Sequence, residues 1–191
     1  RRLAAGEARA FGPNSVGANC FTGPEGFALT HASAETLAGL LDNTGASEVL
    51  VCSTGLIGEL LPAGAVLQGI ERAVALADTG VDAGIASSQA ILTTDSHPKT
   101  SVKTLEAEGG VITIGGMAKG AGMLAPGLAT MLVVITTDAV LASAQLDRAL
   151  RAATRLTFDR LDSDGAMSTN DQVTLMASGA SGLSPDETAF G

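Results

Sequence analysis

Apolar positions recur along this chain with two different periods. Over residues 24–41, Phe27, Leu37, Leu40 and Leu41 supply an apolar side, and Pro24 stands where a first helical turn tolerates proline. Residues 48–52 form a short run rich in Val and Leu, of strand length, that stops at Ser53-Thr54-Gly55. Residues 62–77 read as a helix, with Val66, Leu67, Ile70, Val74 and Leu76 near one side. A shorter helix is expected over 86–92. Residues 102–105 and 111–114 flank Glu108-Gly109-Gly110 and read as a hairpin. An almost unbroken apolar, β-branched run then covers 131–137, the signature of a buried strand, with Thr130 at its head. Ser143–Leu156 is an amphipathic helix by its Leu146, Ala149, Leu150, Ala153 and Leu156 spacing, with Ser143 a fair N-cap. Residues 172–176 read as a short helix. Residues 1–12 fit the end of a helix or the entry to a strand equally well. Residues 14–23 and 42–47 read as turns, and the serine- and glycine-rich tail after residue 177 as loose.

The segment from Gly115 to Asp138 draws the most interest. A glycine-rich, nearly uncharged stretch carries a single lysine, Lys119, and then passes through Pro126 and Gly127 to Ala129-Thr130. It reads as a flexible loop that delivers one hydroxyl to the first position of the buried strand. That suits a threonine nucleophile, and equally an ordinary loop entering a core. A P-loop is excluded, because Lys119 precedes Gly120 and no hydroxyl follows it. A dinucleotide fingerprint is excluded too: Gly120-Ala121-Gly122 lacks the third glycine and leads to Pro126.

Composition narrows the partners. The 191 residues suffice for one domain with a real core, which must be aliphatic, since aromatic residues are 3% and hydrophobic ones 46%. A net charge of −9 argues against nucleic acid, whose phosphates call for lysine and arginine. A small acidic substrate needs only one local cation, such as Lys119. No apolar stretch reaches the ~18 residues of a membrane span. Cys20 and Cys52 are too few for a disulfide framework and read as buried reduced thiols. His31 lacks any metal-ligand spacing. His97, beside Thr93-Thr94-Asp95-Ser96, would act as a general base only with a nucleophile within hydrogen-bond reach. Asp162, Asp164 and Gly165 echo a calcium loop, but Arg160 stands in place of its first aspartate and the closing glutamate is absent, so no metal is expected.

Several segments together resemble the ornithine acetyltransferase / N-acetylglutamate synthase family of arginine biosynthesis. They are N-S-V-G-A-N-C-F-T-G from Asn14, C-S-T-G-L-I-G from Cys52, A-I-L-T-T-D-S-H-P-K from Ala90, G-G-M-A-K-G-A-G-M-L-A-P-G-L-A-T-M-L from Gly115, T-T-D-A from Thr136, and F-D-R-L-D-S-D-G-A-M-S-T-N-D from Phe158. They keep the family's order over nearly the whole chain, and the lysine–glycine element is highly specific. The wording is most similar to actinobacterial members.

The resemblance implies an α/β fold of the αββα sandwich type, here a partial domain. It implies a precursor cleaved between Ala129 and Thr130, so that 1–129 belongs to an α-chain region and 130–191 opens a β-chain region of one incomplete catalytic domain. Thr130 is then the nucleophile, Thr54 and Gly55 the oxyanion hole, and Thr93 and Lys119 the substrate contacts; Thr94 competes with Thr93 for that position. The implied reaction moves acetyl from N2-acetyl-L-ornithine to L-glutamate through an acetyl-threonine, in the cytoplasm. No bound cofactor is expected; acetyl-CoA serves some members as a second donor, and the sequence leaves one activity or two open. The implied partners are the small substrates and the α and β chains of one precursor in a heterotetramer, with no nucleic acid and no membrane. Val16 and Gly17 stand where the family usually has Gly and Asn, which alters that turn. By the same resemblance the family's chain starts before Arg1 and runs past Gly191, and its C-terminal part adds substrate-binding residues. Two rivals share the sequence: a self-cleaving amidase or aminopeptidase with the same nucleophile, and a non-enzymatic binding remnant.

Overall fold

The computed structural model describes residues 6–125, 128–129, 131–186 and 190. The chain divides into two compact units, Arg1–Thr93 and Thr94–Gly191.

In the first unit, β1 (Ala10–Asn14) and β2 (Val49–Ser53) pair in parallel, Ala10 opposite Val49 and Asn14 opposite Ser53. The connection between them is α1 (Gly23–Gly39), with Pro24 in its first turn as expected. This is a crossover unit, which parallel strands require. α2 (Ala63–Ala75) packs on α1. The core holds Ala34, Leu37, Ala38 and Val49, with Ile70 and Val74 of α2 packed against it. The buried face of α1 is therefore one of small residues, which let the helix lie close to its neighbours. The expected apolar side is corrected in part: Leu37 is buried, but Phe27 and Leu40 are exposed, and the Phe27 ring instead meets His31 one turn on. α3 (Val81–Ala90) begins five residues earlier than its apolar content suggested and ends two residues sooner. Its start falls after Gly80, with Asp82 placed to favour the positive end of the helix dipole.

The second unit is a four-stranded sheet in the order β3-β4-β7-β8, numbered along the chain. β3 (Lys99–Ala107) and β4 (Gly110–Lys119) form the expected hairpin, though each strand runs well beyond the apolar residues that announced it. The glycine-rich stretch corrects the sequence reading: Gly115 to Lys119 is strand, not loop. Each of these residues pairs with β3 or β7 or both, and ladder hydrogen bonds on two sides outweigh the low strand preference of glycine. After it, β5 (Leu124–Ala125) and β6 (Leu128–Ala129) make a minimal antiparallel ladder, Leu124 opposite Ala129. Pro126, Gly127 and Thr130 lie outside the described residues.

β7 (Leu132–Thr137) sits between β4, antiparallel, and β8 (Gln172–Ala177), parallel. Both of its faces are covered: Leu132, Val133 and Val134 are all buried, as the unbroken apolar run required. Met131 and Val133 share one cluster with Ala118, Ile135, Phe158 and Val173. At the far end the Thr137 hydroxyl donates to the Thr113 carbonyl (2.9 Å), and the Asp138 carboxylate accepts the Thr113 N–H (2.8 Å), which ties T-T-D to β4. α4 (Ser143–Leu156) matches its expected span and carries the crossover to β8. Its Leu146, Ala149 and Leu150 are half-buried, whereas Ala153 and Leu156 are exposed. Ser143 is not the cap; Ala142 holds that position, and the Gln145 side chain accepts its N–H at 2.8 Å.

Two further expectations fail here. The helix expected over 172–176 is a strand, because the edge of β7 offers a parallel partner and six residues, among them Val173 and Thr174, suit a pleated strand better than a helix of one and a half turns. The tail is not loose over 178–183: Ser178 N–H donates to Thr137, Gly179 N–H to Ala139, and Leu183 receives the Val140 N–H at 2.8 Å.

Because Leu132 is 0% exposed in the central strand, Leu132→Ala should lower the unfolding free energy by about 2–5 kcal/mol. Urea denaturation followed by circular dichroism measures this, and a loss near zero would contradict the placement of β7 in the core.

Candidate active site

In the first unit the exit from β2 is clamped by the segment before it. Thr54 N–H donates to the Asn14 carbonyl (2.8 Å), Leu56 N–H to Val16 (3.3 Å), Ala18 N–H to Leu56 (2.8 Å) and Gly58 N–H to Cys20 (3.1 Å). The Ser53 hydroxyl accepts the Asn19 N–H at 2.9 Å, and the Asn19 amide in turn holds Gly26 and Thr30 at the start of α1. The N-S-V-G-A-N stretch thus builds the turn that carries S-T-G. At Gly17 a Cβ would lie 2.5 Å from the Leu61 side chain, so this departure from the family pattern is accommodated by close packing.

Gly55 has φ of +124°, and a Cβ there would sit 2.3 Å from the Val16 carbonyl oxygen. Only glycine fits. Thr54 is 0% exposed, and its hydroxyl has no hydrogen-bond partner among the described residues. Buried hydroxyls are nearly always bonded, and leaving one bare costs about 1–3 kcal/mol. Thr93 is exposed at the end of the first unit. Cys52 is buried, which pushes its thiol up to about 12, so it is inert at neutral pH; Cys20, expected to be buried, is half-buried.

In the second unit Lys119 is the last residue of β4, opposite Leu132 of β7, and only 2% of it is exposed. Burial lowers its pKa, and the carboxylates of Asp95 and Asp171 oppose that shift. Asp95, whose side chain is fully buried, accepts from Lys99 Nζ (2.5 Å) and from the Gly120 N–H (2.7 Å). Asp164 accepts the Met123 N–H at 2.8 Å. The glycine segment is therefore held at both ends by carboxylates, which is what the acidic residues before and after it do. Asp162 and Asp164 also accept the N–H groups of Gly165 and Ala166, the local work of a turn. Among the described residues no cluster of three or more metal-ligating side chains is found. His97 is exposed and hydrogen-bonded to Ser96 (2.9 Å), at the rim of a groove of about 570 Å³ whose lining includes Lys99, Met117 and Phe158.

Asp171 was missed by sequence reasoning. It immediately precedes β8, and its Oδ1 accepts the N–H of Met131 at 2.8 Å; the Met131 carbonyl accepts the Gln172 N–H at 3.0 Å. Its Oδ2 is buried and has no partner among the described residues. Burial raises the carboxyl to about 6, against the opposing pull of the Met131 N–H and the Lys119 charge. The available signal was its position closing the S-T-N-D motif at the head of a short apolar run. Thr130 itself lies outside the described residues; Ala129 ends β6 and Met131 precedes β7.

The molecule is a mixed α/β protein, built from parallel and antiparallel strands with helical crossovers. Compared with known proteins, residues 1–191 match the ArgJ family model, and the chain belongs to that family. It is 60% identical over 189 residues to the arginine biosynthesis bifunctional protein ArgJ of Streptomyces coelicolor, covering 98% of this chain and 47% of that protein. The protein of the same name from Mycobacterium leprae is 53% identical over 191 residues, covering 98% and 46%. Among solved structures, the ornithine acetyltransferase of Mycobacterium tuberculosis, complexed with ornithine, matches with a TM-score of 0.61 and 48% identity over 66% of each chain. The arginine biosynthesis bifunctional protein ArgJ of Bacillus halodurans matches with a TM-score of 0.55 and 34% identity, over 63% of this chain and 60% of that one. The chain spans about half the length of the curated relatives it matches. The expected family and the α/β fold are borne out. Among the described residues no helix is long and apolar enough to cross a membrane.

The raised carboxyl of Asp171 makes a stability prediction. Its folded pKa, about 6, lies above the ordinary aspartate value near 3.9, so the folded state binds the extra proton between them. That contribution is present below about pH 4 and is lost as pH rises through about 6. The urea midpoint of wild type minus that of Asp171→Asn should therefore fall between pH 4 and 6.5; a difference that rises with pH would contradict the assignment.

Proposed function

We propose that the protein containing this chain transfers acetyl from N2-acetyl-L-ornithine to L-glutamate through an acetyl ester of Thr130. The observation that carries the proposal is the Thr54 hydroxyl, buried without a partner among the described residues, at the glycine-requiring turn of a chain that belongs to the ArgJ family. Support also comes from the relatives' names and from the related enzyme's complex with ornithine. Those names are not hydrolase names, and the self-cleaving amidase reading receives no support from them.

The chemistry begins with maturation. The Thr130 hydroxyl attacks the Ala129 carbonyl and displaces the Thr130 nitrogen, giving an ester; water then hydrolyses the ester to an Ala129 carboxylate and a free Thr130 α-amine and hydroxyl. The chain is thereby divided into an α portion, 1–129, and a β portion from Thr130. The freed amine, with an ordinary pKa of roughly 8, serves as the general base for its own hydroxyl. Oγ1 attacks the acetyl carbon of acetylornithine, and the Thr54 hydroxyl and Gly55 N–H stabilise the oxyanion. Such an orphan donor is suited to this work because it needs no reorganisation when charge develops. Ornithine leaves with the proton, and the amine of glutamate attacks the ester in the second half-reaction. Lys119 offers the cation for a substrate carboxylate, and Thr93 a hydroxyl contact. The α and β portions assemble as a heterotetramer in the cytoplasm. Acetyl-CoA is a second donor only if glutamate is acetylated without acetylornithine.

Mass spectrometry of the full-length protein should find two polypeptides, the second beginning at Thr130, and a single one in Thr130→Ala. An intact wild-type chain would overturn the reading. Thr54→Ala should mature more slowly and lose about a hundredfold or more in kcat, the ~3 kcal/mol of one oxyanion donor, with KM for acetylornithine changed less. An unchanged kcat would remove Thr54 from the mechanism. Glutamate and water should be offered as competing acceptors in the same assay, since a preference for water identifies a hydrolase.

A further inference from the structure

The ladder between β3 and β4 runs as far as Lys99 opposite Ala118. The next step of that register would set Lys119 opposite Pro98, which has no N–H to give. On its other side Lys119 is still paired, opposite Leu132 of β7. On the β3 side a side chain takes over from the backbone. Asp95, four residues before Lys99, accepts the Gly120 N–H on Oδ1 at 2.7 Å. It thereby fixes the residue that follows Lys119, across 25 positions of sequence.

For that bond alone an asparagine would serve, since its amide oxygen is also an acceptor. A carboxylate is the costlier choice. The Asp95 side chain is fully buried, and a buried charge must be paired. Lys99 pairs with it at 2.5 Å, from a side chain that is 39% exposed. The charge of Asp95 also reaches Lys119, which is itself only 2% exposed. Burial pushes the Lys119 pKa down. Asp95 is the foremost charge that pushes it back up, Asp171 is the second, and Lys99 pushes it down again. These groups come from the segment before β3, the first residue of β3 and the residue before β8, so three separate parts of the chain set the state of one lysine.

We propose that Asp95 is a positioning residue for Lys119: through the Gly120 N–H it fixes the backbone from which the lysine springs, and its charge, shared with Lys99, holds the ammonium in readiness for a ligand carboxylate. The inference rests on the reading of Lys119 as the cation for a substrate carboxylate. Sharing is what makes the arrangement useful. A carboxylate committed to Lys119 would compete with the ligand, whereas one engaged by Lys99 supports the charge of Lys119 and leaves the ammonium to the substrate. A neutral amine in the same place would hold a carboxylate less well, because charge-assisted hydrogen bonds are roughly twice as strong as neutral ones.

The test uses the matured full-length protein and two donors, N2-acetyl-L-ornithine and N-acetylputrescine, which is the same molecule without its carboxylate. In a two-step transfer, kcat/KM for the donor reports only the first half-reaction, so the carboxylates of glutamate do not enter. Wild type should prefer acetylornithine, and Lys119→Met should abolish the preference. Asp95→Asn, which keeps an acceptor for the Gly120 N–H, should reduce the preference about tenfold or more near neutral pH, chiefly through KM for acetylornithine. As pH rises the preference should be lost as Lys119 gives up its proton. That loss should come at lower pH than wild type in Asp95→Asn and at higher pH in Lys99→Met. A role confined to tying Gly120 would slow both donors alike and leave the preference in place. Asp95→Asn with the wild-type preference overturns the proposal, as do two variants that move the loss in the same direction, or failure of both to fold. If Asp95→Asn alone fails to fold, the direction found for Lys99→Met decides. Wild type without a preference, or Lys119→Met that keeps it, overturns the reading of Lys119 instead.

Discussion

The second unit depends on the double ladder of β7. Its backbone pairs with β4 on one edge and with β8 on the other, and its side chains are buried on both faces. Everything of chemical interest in that unit is located relative to this strand. Pairing with β4 places Lys119 opposite Leu132, at the end where β7 begins. Pairing with β8 brings Asp171 to the same end, 40 residues further along the chain from Met131, and fixes it there through the Met131 N–H. The lysine and the aspartate are thus brought together by two strand registers, not by any local motif. Slipping either register by one residue would turn every side chain of that strand to the opposite face.

The first unit uses a different device. Its turn after β2 is held by backbone hydrogen bonds from a separate segment, residues 14–20, so that the conformation of Thr54 and Gly55 is imposed from outside. The glycine is required by its positive φ and by the closeness of the Val16 carbonyl. The threonine is fully buried and its hydroxyl has no partner among the described residues, a cost the fold does not need to bear for its own stability. Among the described residues, buried polar atoms without a partner recur in both units, at Thr54 Oγ1 and Asp171 Oδ2. Each belongs to a segment that matches the family pattern. Buried acceptors and donors left open are where a protein stores readiness for a ligand or for a charge that appears only during the reaction.

Local signals were sufficient wherever one physical effect dominated. The run over 131–137 could only be a buried strand, and the periodicity of Ser143–Leu156 could only be a helix that packs one side. The order of S-T-G, T-T-D and A-K-G-A-G was enough to point to the family, because each demands particular residues at fixed places. Sequence reasoning failed where two effects competed. Glycines at 115 and 116 argue locally for a loop, yet flanking strands on both sides recruit them into a ladder. Residues 172–176 are too few to reveal a period, and the free edge of β7 decided their conformation. In α1 the large apolar residues suggested one face, while the small residues Ser33, Ala34 and Ala38 proved to be the face that packs.

By itself, then, the sequence determined the α/β class, the family, and the hydroxyl, glycine and lysine residues that match the family pattern at Thr54, Gly55, Thr93, Lys119 and Thr130. The tertiary structure alone decided that Lys119 is a buried strand residue beside two carboxylates, and that Asp171 grips the residue after Thr130. The reason is one of distance. Propensity and periodicity act over a few residues and can be read from the chain. The electrostatic state of a lysine or an aspartate depends on groups brought close by strand pairing and on the water that pairing removes, and neither is written in its neighbours along the sequence.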